Sequence, residues 1–462
     1  MIKSTILKFS SQKSCVSYIL RHYTNRNVLK LSERGLFQDI FPEEAVTQAR
    51  DTLNTEPQCM YAGFDPTADS LHVGNLLVII GLLQWQRAGH VPIALIGGAT
   101  GQIGDPSGRT SKRSDISAND ISINANNIQE NIERIFRNHE EILWNRRGYK
   151  GKLAPLKVVN NESWYRGMDA IEFAGTVGRH FRMGTMLSRS SVQTRLKDAG
   201  MSFTEFTYQI FQAYDWLHLY QNYNCRFQLG GSDQMGNIMS GHELISRVTN
   251  KPVYGITMPL ITSEEGDKFG KSSGNAVWLN EEKSSPFSLY QFFVRVKDSE
   301  VEQLLKLFTF DSLGEIEQLM SKHIKSPEHR IAQKKLADDV TLLVHGEKGL
   351  LKAQQTSAAL YQRDVKSLGS LKIEELEELF KGANVVEILP SPGMNLMELA
   401  LRAHCFPTEA DAVRIIQAGG FYINHNRCTN IAEGLSPVHI LPNNVTILRV
   451  GKRNYCIVKW LK

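Results

Sequence analysis

Met60-Tyr61-Ala62-Gly63-Phe64, then Asp65-Pro66-Thr67-Ala68-Asp69-Ser70-Leu71, then His72-Val73-Gly74-Asn75 before the apolar run Leu76–Leu83, is the stretch that organises the chain. It reads as a β-strand, a polar loop and the opening of a buried helix. Further β-type runs occur at Pro92–Ile96, Lys157–Val159, Arg226–Leu229 and Gly255–Ile261, with helical patterns between them. This alternation predicts an α/β domain with a mostly parallel, Rossmann-like sheet. Gly97-Gly98-Ala99-Thr100-Gly101, Asn160-Asn161 and Gly230-Gly231-Ser232-Asp233-Gln234 follow three of the strands. Ligands in open α/β sheets bind beyond the carboxyl ends of the strands, so these loops stand where a site belongs.

A helix opening at His72-Val73-Gly74-Asn75 offers unpaired N–H groups and a positive dipole end to a phosphate. Gly74 allows close approach of a ligand, and His72 adds a donor whose protonation responds to phosphate charge. Far along the chain, Lys268-Phe269-Gly270-Lys271-Ser272 places two lysines among Gly266, Gly270 and Gly274, a composition suited to holding polyphosphate. Either segment alone is weak. Together they resemble the HIGH and KMSKS motifs of class I aminoacyl-tRNA synthetases. The stretches Tyr61–His72, Gly97–Gly108, Phe203–Tyr208, Gln212–Asp215 and Gly230–Gln234 narrow the likeness to tyrosyl-tRNA synthetases of bacterial and mitochondrial type, over residues 35–462.

The resemblance implies a role for each matching residue. Tyr61 and Asp215 would hold the substrate phenol, one able to donate and the other to accept. Asp105, Tyr208 and Gln212 would bind the α-ammonium, and Gln234 with Asn161 would surround the carboxylate. Gly63, Asp65, Thr67, Gly74, Gly231 and Asp233 would take the nucleotide, with Asp233 on the ribose. His72 and Asn75 would meet the phosphates, joined by Lys268, Lys271 and Ser272, while Arg109 and Arg113 would stabilise pyrophosphate. The implied chemistry is attack of the tyrosine carboxylate on the α-phosphate of ATP, then transfer of tyrosyl to the terminal ribose of the tRNA for tyrosine. No side-chain nucleophile is needed; positioning and charge stabilisation suffice. Mg²⁺ would arrive with ATP, and no metal cage is evident. The departures are Asn75 for the second histidine of HIGH, Phe269-Gly270 for Met-Ser of KMSKS, and Val78 at a position polar in some bacterial members. Three other readings stay open: a tryptophanyl-type synthetase, another nucleotidyltransferase carrying the same motifs, and an RNA-binding or splicing factor on this scaffold.

From 283 to 381 the pattern turns helical, with Ser285-Pro286 and Ser326-Pro327 as helix starts. The resemblance makes this stretch an anticodon-binding domain. Residues 382–392 read as a linker, because Gly382, Pro390 and Pro392 punctuate them. Residues 393–462 predict a small α+β unit that resembles an S4-like RNA-binding domain, with Arg402, Arg414, Arg427, Lys452 and Arg453 as candidate phosphate contacts. The catalytic domain spans 33–282. The family is homodimeric, and the segment after Arg113 is the expected interface.

Residues 1–32 hold six Lys/Arg (3, 8, 13, 21, 26 and 30), six serines and no acid. That is the composition of a mitochondrial transit peptide, which implies import into the matrix. The whole chain has 462 residues and a formal net charge of +5, so the leader's six charges account for the excess. Its longest near-continuous apolar run has eight residues, where a membrane span needs about twenty. The six cysteines form no CxxC pair, which disfavours a zinc ribbon.

Overall fold

The computed structural model describes residues 26–462 except 109–115, 146–150, 199, 262–270, 273–274, 362–367, 370, 372, 374–375, 377–379, 381–382, 392, 452–453 and 462. The chain divides into two compact units, one ending at Gly346 and the other running from Glu347. Among the described residues, the first unit is built on β1 (Ile40–Phe41), β2 (Cys59–Phe64), β3 (Val91–Ile96), β4 (Lys157–Asn160), β5 (Cys225–Gly231) and β6 (Tyr254–Met258). The strand order is β1-β6-β5-β2-β3-β4. Every neighbouring pair is parallel except the short β1, which runs antiparallel to β6. From β2 the chain builds outward to β4, then returns to lay β5 on the other side of β2. The order therefore reverses between β2 and β5, where a crevice opens at the carboxyl ends of the strands.

Helix α1 (Val73–Arg87) packs on the face carrying Ala62 and Leu229, and ten of its residues are buried. Gly81 permits that approach, since a Cβ there would lie 2.7 Å from Leu229 Cδ2. Ala118–Asn138 forms α2. The opposite face, with Tyr61, Ile93 and Leu95, meets Trp216 and Leu217 of α3 (Phe203–Tyr223) and Ile238 of α4 (Met235–Thr249). Ser202 and Glu205 form a capping box that starts α3, satisfying donors otherwise unpaired at the helix end.

Two expectations about this unit need correction. The predicted leader 1–32 does not end outside the fold: Val28–Arg34 forms a 3₁₀ helix, Val28 is buried, and His90 Nε2 bonds the Arg26 carbonyl at 2.8 Å. Arg34 anchors the segment through the carbonyls of Lys306 (2.9 Å), Thr309 (2.8 Å) and Asp311. Ser285 caps the helix Pro286–Val294 as expected, but Ser326-Pro327 opens only the 3₁₀ turn Pro327–His329. The helical stretch Ile331–Tyr361 begins after Arg330, whose φ of 51° breaks the run, and is itself interrupted at Gly346, where φ is 69°.

Beyond the six strands, β7 (Lys271–Ser272) and β8 (Asn275–Ala276) pair as an antiparallel ribbon. In the second unit β9 (Asn384–Ile388), β10 (Phe421–Ile423), β11 (Asn426–Cys428), β12 (Val445–Val450) and β13 (Asn454–Trp460) form a sheet ordered β11-β10-β12-β13-β9. β9 lies inside the stretch 382–392 that was expected to be a linker. It pairs parallel with β13 over five residues, because Val385, Val386 and Ile388 supply apolar side chains to both faces of a sheet edge. Helices Leu396–Arg402 and Glu409–Gln417, capped by Asn395 and Thr408, pack on the Phe421, Leu448 and Val458 face. Leu368, Leu371, Leu376 and Phe380 cover Val445, Ile447 and Ile457 on the other face. The helical stretch 283–381 is thus shared between the two units.

Candidate active site

A cleft of about 470 Å³ lies at the strand-order reversal. Tyr61, Gly63, Asp65, Thr67, His72, Gly74, Asn75, Asp105, Tyr208, Gln212, Asp215, Gly231, Asp233 and Gln234, all expected from sequence, line it. Arg109, Arg113 and Lys268 fall outside the described residues, as do Lys452 and Arg453 of the second unit. Lys271 and Ser272 form β7, opposite Ala276 and Asn275. Among the described lining residues there are four aspartates and no lysine or arginine, so positive charge for a polyphosphate has to come from flanking segments.

The open end of the cleft is the N-terminus of α1. His72 Nδ1 accepts the Gly74 N–H at 3.0 Å, which caps the helix. In the neutral imidazole the proton therefore sits on Nε2, making that nitrogen the donor. Asn75 Oδ1 accepts the His72 N–H at 3.1 Å, completing a capping box and leaving the amide NH₂ as the part of Asn75 able to donate to phosphate.

The middle of the cleft is acidic. Asp105 accepts from Gln234 Nε2 at 2.7 Å and from the Ser107 N–H at 2.9 Å. Asp65 accepts from Tyr208 OH at 2.9 Å and from Thr100 Oγ1 at 2.7 Å. Gly97 makes room for that carboxylate, since a Cβ there would lie 2.0 Å from Asp65 Oδ1. The arrangement suits an ammonium.

At the buried end stand Tyr61 and Asp215, both nearly inaccessible to solvent. Asp215 Oδ2 accepts from Asn161 Nδ2 at 3.0 Å, and Oδ1 from Trp164 Nε1 at 2.9 Å. Burial nevertheless pushes its carboxyl up to about 7 against the pull of those donors. Because this exceeds the unfolded value, the group's contribution to ligand-free stability is full below about pH 4 and lost as pH rises through about 7. The Tyr61 hydroxyl is buried with no hydrogen-bond partner among the described residues. A buried donor left unpaired costs roughly 1–3 kcal/mol, so this hydroxyl is set up to pair with a ligand.

Asn161 is fully buried outside the cleft lining: its Nδ2 donates to Asp215 and Thr100, and its Oδ1 accepts the Ala99 N–H. Sequence reasoning missed Trp164 and Thr100. It also missed Asn237, whose buried Nδ2 lies 2.9 Å from Gln212 Oε1 and 3.2 Å from Gln234 Oε1. Asn237 follows Gln234 by three positions at the start of α4, and that helical spacing was the available signal.

A parallel sheet that reverses beside a capped histidine-bearing helix N-terminus, over an acid-lined cleft, is the architecture of a class I nucleotide-activating domain. The family described as tRNA synthetases class I (W and Y) matches residues 53–362, and the Tyrosine–tRNA ligase SYY-like C-terminal domain matches 375–458. The chain is 59% identical over 449 residues to "Tyrosine–tRNA ligase, mitochondrial" of Drosophila melanogaster, covering 96% of this chain and 97% of that protein. It is 48% identical over 438 residues to the protein of the same name from Mus musculus, with 93% and 92% covered. A crystal structure of a C-terminally truncated Aspergillus nidulans mitochondrial tyrosyl-tRNA synthetase aligns with a TM-score of 0.65 at 33% identity, covering 72% of this chain and 93% of that one. The chain belongs to the class I tRNA synthetases of the tryptophan and tyrosine group.

Proposed function

We infer that the chain is a tyrosine–tRNA ligase of mitochondria. The observation that carries this reading is the unpaired Tyr61 hydroxyl beside Asp215 at the buried end of the cleft. A phenol there donates to the carboxylate and accepts from Tyr61, whereas an indole, with one N–H and no acceptor, cannot pair with both. Asp105, Gln212 and Tyr208 hold the ammonium. The carboxylate then faces the phosphates at the end of α1, where His72 Nε2–H, the Asn75 amide and the positive end of the helix dipole stabilise charge developing on the α-phosphate oxygens. Lys268, Lys271, Arg109 and Arg113 supply the cations that the described cleft lacks, and Asp233 accepts from the ribose. ATP enters as its Mg²⁺ complex; the described residues hold no cluster of three or more His, Cys, Asp or Glu suited to a metal. Pyrophosphate leaves, and the terminal ribose of the tRNA takes the tyrosyl group. Pyrophosphate exchange with each amino acid in turn tests the assignment: tyrosine alone supports exchange, and exchange driven by tryptophan would overturn it.

Asp215 gives this reading a pH signature. Its carboxyl titrates near 7 in the ligand-free protein, and the ionised form makes the stronger, charge-assisted bond to a phenol. Tyrosine Kd is expected to fall several-fold from pH 6 to pH 8, with proton release below 7. A calorimetric titration of Asp215→Asn, in which that slope disappears, checks it.

The basic leader directs the chain to the matrix, and processing falls before Arg26, because Val28 and the Arg26 carbonyl are packed into the first unit. Retention of a 1–40 fusion in the cytosol would count against this. The chain pairs with a second copy, a reading supported by the exposed apolar residues Ile171, Met183 and Leu187, which lie near one another in sequence; sedimentation reads the dimer. No described helix is long and apolar enough to cross a membrane. In the second unit, Arg402 and Arg414 form exposed pairs with Glu398 (2.6 Å) and Asp411 (2.8 Å), weak enough to be exchanged for RNA phosphates. Arg427 instead binds the carbonyls of Gly419 (2.8 Å) and Ala418 (3.1 Å), ending the helix before it.

A further inference from the structure

Residues 277–280 run directly against the segment that carries His72. The Val73 N–H donates to the Val277 carbonyl at 3.0 Å, and the Leu279 N–H to the Leu71 carbonyl at 2.8 Å. Between these bonds His72 and Trp278 form an antiparallel bridge. The Asn280 N–H adds a bond to Ser70 Oγ at 3.1 Å. The strand leaving the β7–β8 ribbon is thereby stitched to the histidine segment residue by residue.

The side chains extend the contact. Trp278 lines the cleft, with its ring centroid 6.3 Å from that of His72 at an interplanar angle of 63°, an edge-to-face approach. Lys283 Nζ stands 4.4 Å from the centroid of the same indole and forms an ion pair with Asp69, three residues before His72. A short turn keeps the lysine in place: the Trp278 N–H donates to Ser284 Oγ at 3.0 Å, and the Ser284 N–H to the Asn280 carbonyl at 3.0 Å. Asp69, Lys283, Trp278 and His72 thus form a chain of contacts in which each group limits the next. The imidazole needs such a limit. Its Nδ1 bond to Gly74 fixes one point of the ring, and rotation about that point would swing Nε2 away from the phosphate position.

We propose that Lys283 is a positioning residue for the His72 imidazole, acting through the face of Trp278 and held by Asp69. This inference rests on the phosphate-binding role assigned to His72. Lys283 stands behind the indole, and its work is geometric. A cation is suited to it because an ammonium can lie on the indole face and meet a carboxylate at the same time.

The test is single-turnover tyrosyl-adenylate formation by the full chain. Lys283→Met keeps the apolar stem on Trp278 and removes the charge; it is expected to lower the rate about tenfold with tyrosine Kd and Tm unchanged. Asp69→Asn is expected to lower it about threefold, and Lys283→Arg to retain most of it, since a guanidinium can also stack and pair. The decisive measurement is the double variant. If Lys283 works through His72, Lys283→Met adds no further loss to His72→Ala, whereas a general structural role would multiply the two. Silent Lys283→Met and Asp69→Asn variants, or multiplied losses in the double variant, overturn the proposal. A His72→Ala variant of undiminished rate would instead overturn the phosphate reading on which it stands.

Discussion

His72→Ala is expected to slow tyrosyl-adenylate formation by about 10²–10³-fold, the loss typical when one preorganised donor to developing oxyanion charge is removed. Tyrosine Kd should stay within about twofold, because the proposed amino-acid site of Tyr61, Asp215 and Asp105 does not include His72. The histidine has a second job that must be separated from the first. Its Nδ1 caps α1 through the Gly74 N–H, so the alanine variant also loses a cap worth about 1 kcal/mol. His72→Asn distinguishes the two effects: asparagine is a good N-cap residue and restores stability, yet it places no donor where Nε2–H stood. Both variants should therefore be slow, with only alanine destabilised. Lys268→Ala is expected to share the kinetic loss at unchanged Kd, as a cation serving a cleft whose described lining has none. Wild-type single-turnover rates in His72→Ala and Lys268→Ala would sink the assignment of both segments.

How much of this was legible in the sequence depends on what kind of interaction fixed each residue. The parallel strands β2 to β5 were legible because they are short runs ended by Gly-rich or polar loops, a local pattern. The opening of α1 near His72 was legible for the same reason. Asn161 was found because its place after β4 brings it near the cleft, but its partner Asp215 lies 54 positions away and was not legible locally. Trp164 escaped because a tryptophan inside a four-residue helix looks like packing, and its indole N–H on Asp215 is a tertiary fact. Residues 384–388 were misread because the flanking glycine and prolines outweighed Val385-Val386-Glu387-Ile388, whose β-branched pattern was the better guide to an edge strand.

The pair Tyr61 and Asp215 should set discrimination between tyrosine and phenylalanine, and the two residues should contribute unequally. Tyr61→Phe removes a neutral partner, so kcat/KM for tyrosine is expected to fall about 2- to 12-fold, the worth of an ordinary hydrogen bond. The ligand-free protein should be no less stable, since the deleted hydroxyl is buried and unpaired. Asp215→Asn removes a charge-assisted acceptor and should cost about 10- to 150-fold for tyrosine. Its damage extends further, because Asn161 Nδ2 and Trp164 Nε1 each donate to one carboxylate oxygen, and an amide offers only one acceptor oxygen to the two of them. Phenylalanine gains in Tyr61→Phe, where its ring strands one polar group fewer, and gains less in Asp215→Asn, where an amide still faces it. The tyrosine-to-phenylalanine ratio of kcat/KM should therefore fall in both variants, measured by pyrophosphate exchange with each amino acid. A ratio unmoved by Tyr61→Phe would mean that its hydroxyl pairs with something other than the substrate. The recognition of the phenol would then rest on Asp215 alone.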